Sequence, residues 1–451
     1  MKSNYRFPSL VKNIFKDIDE NGGKVFLVGG IVRDMLVYGN VDYHDVDIEV
    51  YGLTVQQLEN ILSEYGHVIC IGKSFGILKL DNLPNYDFAL PRTEIKVGKN
   101  HQDFKIKVDK DLDFKIAASR RDLTINALMY EIKTDKIHDY FHGIEDLNKR
   151  TLRMVNEKTF PEDPLRVLRL AQFASRLDFC IEPKTKKICR EMVSKGLLNN
   201  LSNERVFNEY NKILLSNHPS VGLTFLKEVK AILPCLDVLS KTVQRLDYHP
   251  EGNVWNHTIL VTDLAALCSQ KTTNPLGFMW GALLHDIGKA LVTTKEGHAP
   301  NHNEAGVEIF NKELKNLIPD KKLQKYIKTV ILYHMHLMNM VRNGAKDYSY
   351  FKILKGIDGI VSIEDLILIT KCDKLGRYKD EHENINHFDF VMKEKMTQLG
   401  TVAKLPLVNG NDLKLLGIEQ SSRYQKLLDW AYDLQLRGHN KESILKMIKG
   451  R

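Results

Sequence analysis

The chain has 451 residues but only six cysteines (Cys70, Cys180, Cys189, Cys235, Cys268, Cys372), scattered and with no Cys-x-x-Cys spacing. That scarcity excludes a disulfide framework or a zinc knuckle as the organising device, and reduced, mostly buried thiols are expected. Long apolar runs are missing as well, and nothing approaches a membrane-spanning length. The opening residues, MKSNYRFPSL, lack the apolar core of a signal peptide, so a cytoplasmic protein with no membrane partner is expected. There are no internal repeats and no low-complexity tracts, which excludes a repeat architecture. The excess of one charge sign is small: 65 Lys and Arg against 57 Asp and Glu, a formal net charge of +8. A polyanionic partner and a merely slightly basic enzyme are equally consistent with it.

What is present is ordinary globular composition, 43% hydrophobic and 27% charged, in a chain too long for one core; two to four domains are expected. Residues 1–150 mix strand-like runs (Val25–Val28, Val46–Val50, Gly76–Leu80, Tyr86–Leu90) with helical stretches. From about Pro164 onward the pattern is helical. Leu165, Leu168, Phe173 and Leu177 share a face, and similar periodicity recurs through 200–235, 254–270, 276–292, 302–315 and 321–340. Pro, Gly and Asn cluster near 248–252, 295–303 and 400–411 and mark breaks. The expected fold class is α+β: a mixed head (1–150), a helical neck (151–245), a His-rich helical domain (246–395) and a helical tail (396–451).

The most informative stretch is FLVGGIVRDMLVYGNVDYHDVDIEV, residues 26–50. An apolar run ends in the turn Gly29-Gly30, Arg33-Asp34 follows, and Asp45-Val46-Asp47 heads a second alternating run. Alternation puts Asp45 and Asp47 on one strand face, about 7 Å apart. Carboxylates so placed can share divalent metal, and a glycine turn lets backbone N–H groups approach phosphate. Alone, each feature is weak. Further on, Arg120-Arg121-Asp122 leads into Asn126, and helical spacing puts Asp122 and Asn126 on one face. Two arginines suit a triphosphate. Glu162-Asp163-Pro164-Leu165-Arg166 puts an acceptor and a donor one turn apart, able to meet a base edge. The same Asp-Pro string also reads as a helix cap. Asp87 reads either as a third active-site carboxylate or as a solvated strand residue.

In this order the motifs resemble the class II tRNA nucleotidyltransferases, the CCA-adding enzymes of the polymerase β superfamily, and their bacterial poly(A) polymerase relatives. The resemblance runs over roughly 20–215. It covers Gly29-Gly30-x-Val32-Arg33-Asp34, Asp45-x-Asp47, Arg120-Arg121-Asp122-x-x-x-Asn126, Gly143-x-x-Asp146-Leu147, Glu162-Asp163-x-x-Arg166 and Arg205-x-x-x-Glu209-x-x-Lys212. It implies a head that binds CTP and ATP with Mg2+, with Asp45 and Asp47 as catalytic metal ligands. Gly29, Gly30 and Arg33 would hold the triphosphate. Arg120, Arg121, Asp122 and Asn126 would sit at triphosphate and ribose, and Asp163, Arg166 and Arg169 at the incoming base and nucleotide. Arg205, Glu209 and Lys212 share a helix face and would brace the neck, or are surface ion pairs. The chain departs from the family pattern at His142, where a second glycine is usual, at Gln172, where a further arginine is common, and at Leu123, where Phe is frequent.

In the second half, His285-Asp286 follows the apolar run 281–284, with Gly288 and Lys289 just after. His257, His302, His334 and Asp373 recur at long intervals. Imidazole and carboxylate donors suit a divalent ion. The order His…His-Asp…His…His…Asp resembles the HD superfamily of metal-dependent phosphohydrolases, fused to many bacterial CCA-adding enzymes. That resemblance implies His257, His285, Asp286 and Asp373 around a first metal, His302 and His334 around a second, and Lys289 on a phosphate. His336 competes with His334. The ion would be Ni2+, Mn2+ or Mg2+, and the activity phosphatase, 2′-nucleotidase or 2′,3′-cyclic phosphodiesterase.

In the tail, residues 408–417 and a helix carrying Tyr432, Leu434 and Leu436 resemble the terminal RNA-binding module of related enzymes. Lys446, Lys449 and Arg451 give that tail a basic end; phosphate contact and an ordinary solvated face are equally consistent. The expected function is template-independent building or repair of the tRNA CCA end, with a second phosphohydrolase site and tRNA, ATP and CTP as partners; no obligate protein partner is implied. The alternatives are a poly(A) polymerase, a partial CC- or A-adding enzyme, and an HD phosphohydrolase whose head binds tRNA without polymerising.

Overall fold

The computed structural model describes residues 7–39, 46–71, 77–96, 104–379, 381–418 and 423–450. The described part of the chain divides into two compact units, residues 1–213 with 221–231, and residues 214–220 with 232–451.

The first unit is built on one mixed sheet. Its strands are β1 (Lys24–Val28), β2 (Val46–Tyr51), β3 (Val68–Ile71), β4 (Ile77–Leu80) and β5 (Leu83–Ala89). β6 (Arg92–Lys96) and β7 (Phe104–Val108) form a separate antiparallel hairpin. β8 (Met129–Glu131) and β9 (Lys136–His138) then complete the main sheet, in the order β3-β4-β5-β2-β1-β8-β9. The strand-like runs read from sequence fall on β1, β2, β4 and β5, with Gly76 outside the described residues. Among the described residues of this main sheet only β2 and β5 pair in parallel, and their register sets Asp47 opposite Asp87. β1 is central, so its sequence is apolar on both faces from Val25 to Val28.

Helices α1 (Ser9–Glu20), α2 (Gly30–Tyr38), α3 (Val55–Ser63), α4 (Phe114–Ser119) and α5 (Gly143–Asn148) accompany the sheet. α1 buries Val11, Ile14, Phe15 and Ile18, a stripe at helical spacing. Asp122 and Asn126, expected on one helix, lie instead at a bend followed by a short 3-10 turn, Thr124–Asn126. They still meet, through a 2.9 Å hydrogen bond from Asn126 Nδ2 to Asp122 Oδ1. The neck supplies α6 (Leu165–Leu177), α7 (Pro183–Ser194), α8 (Asn203–Leu214) and α9 (Pro219–Glu228). A short parallel pair, β10 (Thr151–Leu152) with β11 (Cys180–Ile181), precedes and interrupts them.

The second unit is all helix: α10 (Pro234–Asp237), α11 (Val254–Cys268), α12 (Pro275–Leu284), α13 (Lys289–Val292), α14 (His302–Ile309), α15 (Lys321–Tyr333), α16 (His336–Arg342), α17 (Asp347–Ile357), α18 (Ile363–Leu375), α19 (His382–Leu399), α20 (Gly410–Leu415), α21 (Arg423–Leu436) and α22 (Lys441–Lys449). Two helices expected to be continuous are broken. The 276–292 stretch divides at His285–Gly288 and the 321–340 stretch at His334-Met335. In both, an imidazole closes the helix: Nδ1 of His285 and of His334 lies 2.8 and 2.9 Å from the carbonyl three residues earlier, Ala282 O and Ile331 O. An N–H placed there satisfies a last-turn carbonyl that has no helical partner. Gly288 admits no side chain, because a Cβ would sit 1.9 Å from His302 O; this brings the start of α14 against the loop after α12. Among the described residues no helix is long and apolar enough to cross a membrane.

Candidate active sites

In the first unit the residues gather around the Gly29 turn. Gly29 has φ +75°, and a Cβ there would lie 2.7 Å from Arg121 Nη1 and 3.3 Å from Asp47 Oδ2. The absent side chain therefore leaves a cradle walled by a carboxylate and a guanidinium. Asp47 is exposed on β2 while Val46 and Ile48 are buried. Asp45 lies outside the described residues. Asp47, Glu49, Asp87, Arg92, Arg120 and Arg121 line an adjoining cavity of about 190 Å³. Asp87 is paired with Lys79 Nζ at 2.6 Å.

Glu49, two residues beyond Asp47 on the same strand, was not singled out by sequence. Its carboxylate is buried and holds Arg120 Nη2 at 2.8 Å, with Arg121 Nη2 at 3.7 Å and the Tyr51 hydroxyl donating at 3.0 Å. Burial opposes its ionisation, but the two arginines outweigh it and keep the carboxyl below its ordinary range. The signal was available: the alternation that pairs Asp45 with Asp47 continues to Glu49.

Arg33, Asp122 and Asn126 form a buried network. Arg33 is 2% exposed. It donates from Nη1 to Asn126 Oδ1 at 2.6 Å and from Nε to Asp34 Oδ1 at 2.8 Å, and it lies over the Phe173 ring. Asp122 Oδ2 accepts from Arg169 Nε at 2.8 Å. Burial disfavours the Asp122 carboxylate, but Arg169 and the Asn126 hydrogen bond prevail and hold it below the usual range. These side chains spend their polar atoms on one another, which fixes Gly30 and the Arg121 turn relative to α6.

Asp163 takes the helix-starting position that is one of its two readings from the sequence. Its Oδ1 accepts from Leu165 N at 3.1 Å, at the start of α6, and both its oxygens lie 3.2 Å from Arg205 Nη2. Arg166 is one turn on, bonded to Thr159 O at 2.8 Å and Arg120 O at 2.6 Å. Arg205, Glu209 and Lys212 share a face of α8, with Lys212 on Glu209 at 2.8 Å. His142 takes φ +60°, the left-handed conformation glycine favours, directly before Gly143, where a Cβ would strike Thr124 O at 2.4 Å.

The second unit brings its predicted residues into one buried cluster. Asp286 stands at the centre. Its Oδ2 lies 3.3 Å from His285 Nε2, 3.7 Å from His257 Nε2 and 2.7 Å from Lys289 Nζ. Its Oδ1 lies 3.4 Å from His302 Nε2 and 3.6 Å from His334 Nε2. Asp373 Oδ1 is 2.9 Å from His257 Nε2 and 3.8 Å from His285 Nε2. Two ligand groups result, His257/His285/Asp373 and Asp286/His302/His334, with Asp286 facing both. His336 is in neither, and packs its ring on Tyr333 at 4.9 Å.

These residues fit divalent ions. Asp286 Oδ1 and the Nε2 atoms of His285, His302 and His334 are buried without a hydrogen-bond partner, and only the Lys289 ammonium stands on Asp286 Oδ2, a costly arrangement that further cations would relieve. Nδ1 of His285, His302 and His334 faces a backbone carbonyl, which leaves the Nε2 lone pair inward. Burial pushes His302 down to about 4 against the pull of Asp286, so its imidazole is neutral at pH 7. Asp286 and Asp373 are held well below the carboxylate range. Burial opposes this in each, Lys289 and His285 outweighing it at Asp286, and His257 and Arg377 at Asp373. Sequence reasoning missed His249 and Glu251, which also adjoin His257. They fall in a Pro/Gly-rich break and so read as a linker.

Three stretches match family models: residues 25–153 the poly A polymerase head domain, 178–239 the probable RNA and SrmB-binding site of polymerase A, and 254–377 the HD domain. The chain is 34% identical over 368 residues to a multifunctional CCA protein of Aliivibrio salmonicida, covering 78% of this chain and 86% of that one. It is 34% identical over 412 residues to one of Pasteurella multocida, covering 88% and 93%. Among solved structures it is similar to an apo CCA-adding enzyme (TM-score 0.62, 21% identity, 98% and 96% of the two chains). It is also similar to the Thermotoga maritima CCA-adding enzyme complexed with tRNA (TM-score 0.60, 20% identity, 98% and 96%).

Proposed function

This chain belongs to the multifunctional CCA protein family, and from that premise we propose how its two sites divide the work. It is a CCA tRNA nucleotidyltransferase: it uses CTP and ATP to build or repair the tRNA 3′ end. The observation that carries this reading is the cradle at Gly29, where backbone, Asp47 and Arg121 converge.

Asp47, with Asp45, is the residue to hold divalent metal in the head, and Mg2+ is the ion we assign. That metal supplies charge neutralisation at the triphosphate and activates the RNA 3′-hydroxyl. Gly29 and Gly30 admit the phosphates to the backbone, and Arg120 and Arg121 face them, aimed by Glu49. Asp163 accepts from, and Arg166 donates to, the edge of the incoming base. Arg33, Asp122, Asn126 and Arg169 hold that frame rigid from behind.

In the second unit His257, His285, Asp286, His302, His334 and Asp373 would hold two divalent ions, of Ni2+, Mn2+ or Mg2+ type. Such ions supply Lewis acidity that brings a water's pKa toward neutrality for attack on a phosphate ester. Lys289, 2.7 Å from Asp286, steadies the phosphate. The substrate class is a 2′-phosphate or 2′,3′-cyclic phosphate at an RNA end. We assign 1–150 to the head, 151–245 to the neck, 246–395 to the HD domain and 396–451 to a tRNA-binding tail.

The test is to incubate the protein with tRNA ending before CCA, with CTP and ATP singly and together, and to sequence the 3′ ends. Ordered addition of C, C and A supports the reading; long A tails overturn it. Asp47→Ala should abolish addition and spare release of phosphate from a 2′-phosphate, while His285→Ala does the reverse. One substitution removing both activities would sink the two-site assignment.

A further inference from the structure

We propose that Glu251 is a positioning residue of the HD metal centre, strengthening His257 as a ligand. It acts on the His257/His285/Asp373 position and leaves alone the position that His302 and His334 face. The proposal rests on the reading of this cluster as a metal centre.

Four imidazoles aim Nε2 into the cluster, and a neutral ring that ligates through Nε2 must carry its proton on Nδ1. His285, His334 and His302 place Nδ1 against the carbonyls of Ala282, Ile331 and Ala299 at 2.8, 2.9 and 2.9 Å. His257 differs. Its Nδ1 lies 2.9 Å from Gly376 O and also 3.0 Å from Glu251 Oε1. It is the one histidine of the four with a carboxylate behind it among the contacts described. A carboxylate in that place fixes the tautomer and ring plane and makes Nε2 the more basic donor.

Glu251 has no evident structural occupation. Its side chain is fully buried and its Oε2 has no hydrogen-bond partner. Among the described residues the side chains on Oε1 are two imidazoles, His257 and His249, the latter at 2.8 Å. A buried carboxylate without an arginine or lysine on it depends on the hydrogen bonds that it accepts, and here the side chains that supply them are imidazoles. His249 clamps it from the far side, its ring 5.1 Å from that of His257 and nearly perpendicular, so the carboxylate is trapped between them.

The three groups His249, Glu251 and His257 also lie close enough to grip an ion themselves. His257 decides between the readings. To serve that ion through Nδ1 and the main centre through Nε2, the ring would have to lose both protons. As an outer partner of His257, Glu251 needs only the neutral ring.

The experiment compares the full-length protein with Glu251→Gln, which keeps the side-chain volume and an acceptor oxygen but removes the charge. Co2+ is titrated by calorimetry and by its visible absorption. One of two Co2+ equivalents should weaken by about 10- to 100-fold, with a changed Co2+ spectrum, while the other equivalent and CCA addition are unchanged. Glu251→Asp, which keeps a carboxylate, should recover part of the loss and guards against a variant that merely folds poorly. Equal affinity in Glu251→Gln and the parent overturns the proposal, and so does equal weakening of both equivalents. A parent protein that binds no Co2+ overturns the metal-centre reading beneath it, a failure recognisable without any variant.

Discussion

Arg205 Nη2 lies 3.2 Å from both carboxylate oxygens of Asp163, so the acceptor proposed to read the incoming base is held by a guanidinium from α8. A carboxylate fixed from one side presents its remaining lone pairs in a set direction. Asp163→Ala should therefore lower the preference for C and A over U and G by about 5- to 100-fold, the worth of a lost base-edge contact. Arg205→Ala should lower it less, by letting the carboxylate turn. Single additions to tRNA lacking CCA, with each of the four nucleoside triphosphates, measure this. Unchanged selectivity in Asp163→Ala would leave the residue only its capping bond to Leu165 and its ion pair with Arg205.

Asp122 connects the head to α6 through Arg169 and should make stability depend on pH. Its carboxyl is held below the ordinary value in the folded chain, burial being outweighed by Arg169 and Asn126. A group so depressed stabilises the fold above its unfolded pKa, about 3.9. That contribution is lost as pH falls through the lower, folded value. Asp122→Asn should cost about 2 kcal/mol at pH 7, towards the low end for a charged hydrogen bond because the Arg169 side chain is 37% exposed. The gap between variant and parent should close as pH drops below about 4. Denaturant unfolding at pH 7, 5 and 3 checks it; a gap that widens on acidification would contradict the pairing.

Much of this was legible in the sequence, for physical reasons that differ between the units. Apolar and alternating strand-like runs gave β1, β2, β4 and β5, because a central strand such as β1 is buried on both faces and a half-covered one such as β4 alternates. The cluster residues of the second unit were legible as a set through their order along the chain, which resembles that of the HD superfamily. What failed was continuity: periodicity runs straight through His285 and His334, and nothing in it says that an imidazole can end a helix by capping its last carbonyls. Spacing could not separate His334 from His336 either. Burial does, because His334 ends α15 facing Asp286 while His336 starts α16 beside Tyr333. Arg33 reads as a phosphate ligand when only its neighbours in sequence are known. Its actual partners, Asn126 and Asp34, include one ninety-three positions away, beyond the reach of any local pattern.

Asp286 Oδ1 and the Nε2 atoms of His285, His302 and His334, four buried polar atoms with no hydrogen-bond partner, make a last prediction about metal removal. Groups that are unfavourable to bury become favourable once a cation takes their lone pairs, so metal binding should stabilise the second unit. An ion at 100 times its dissociation constant contributes about 2.7 kcal/mol. Adding Mn2+, Co2+ or Ni2+ to chelator-treated protein should therefore raise its unfolding midpoint, and excess EDTA should reverse the rise together with phosphate release. His285→Ala should abolish most of the shift. Asp47→Ala, in the other unit, should keep it while losing nucleotide addition. Thermal unfolding followed across a metal titration measures all three proteins. No shift with any ion would mean that the cluster tolerates its unpaired atoms for some reason other than metal, and the phosphohydrolase assignment would fall with it.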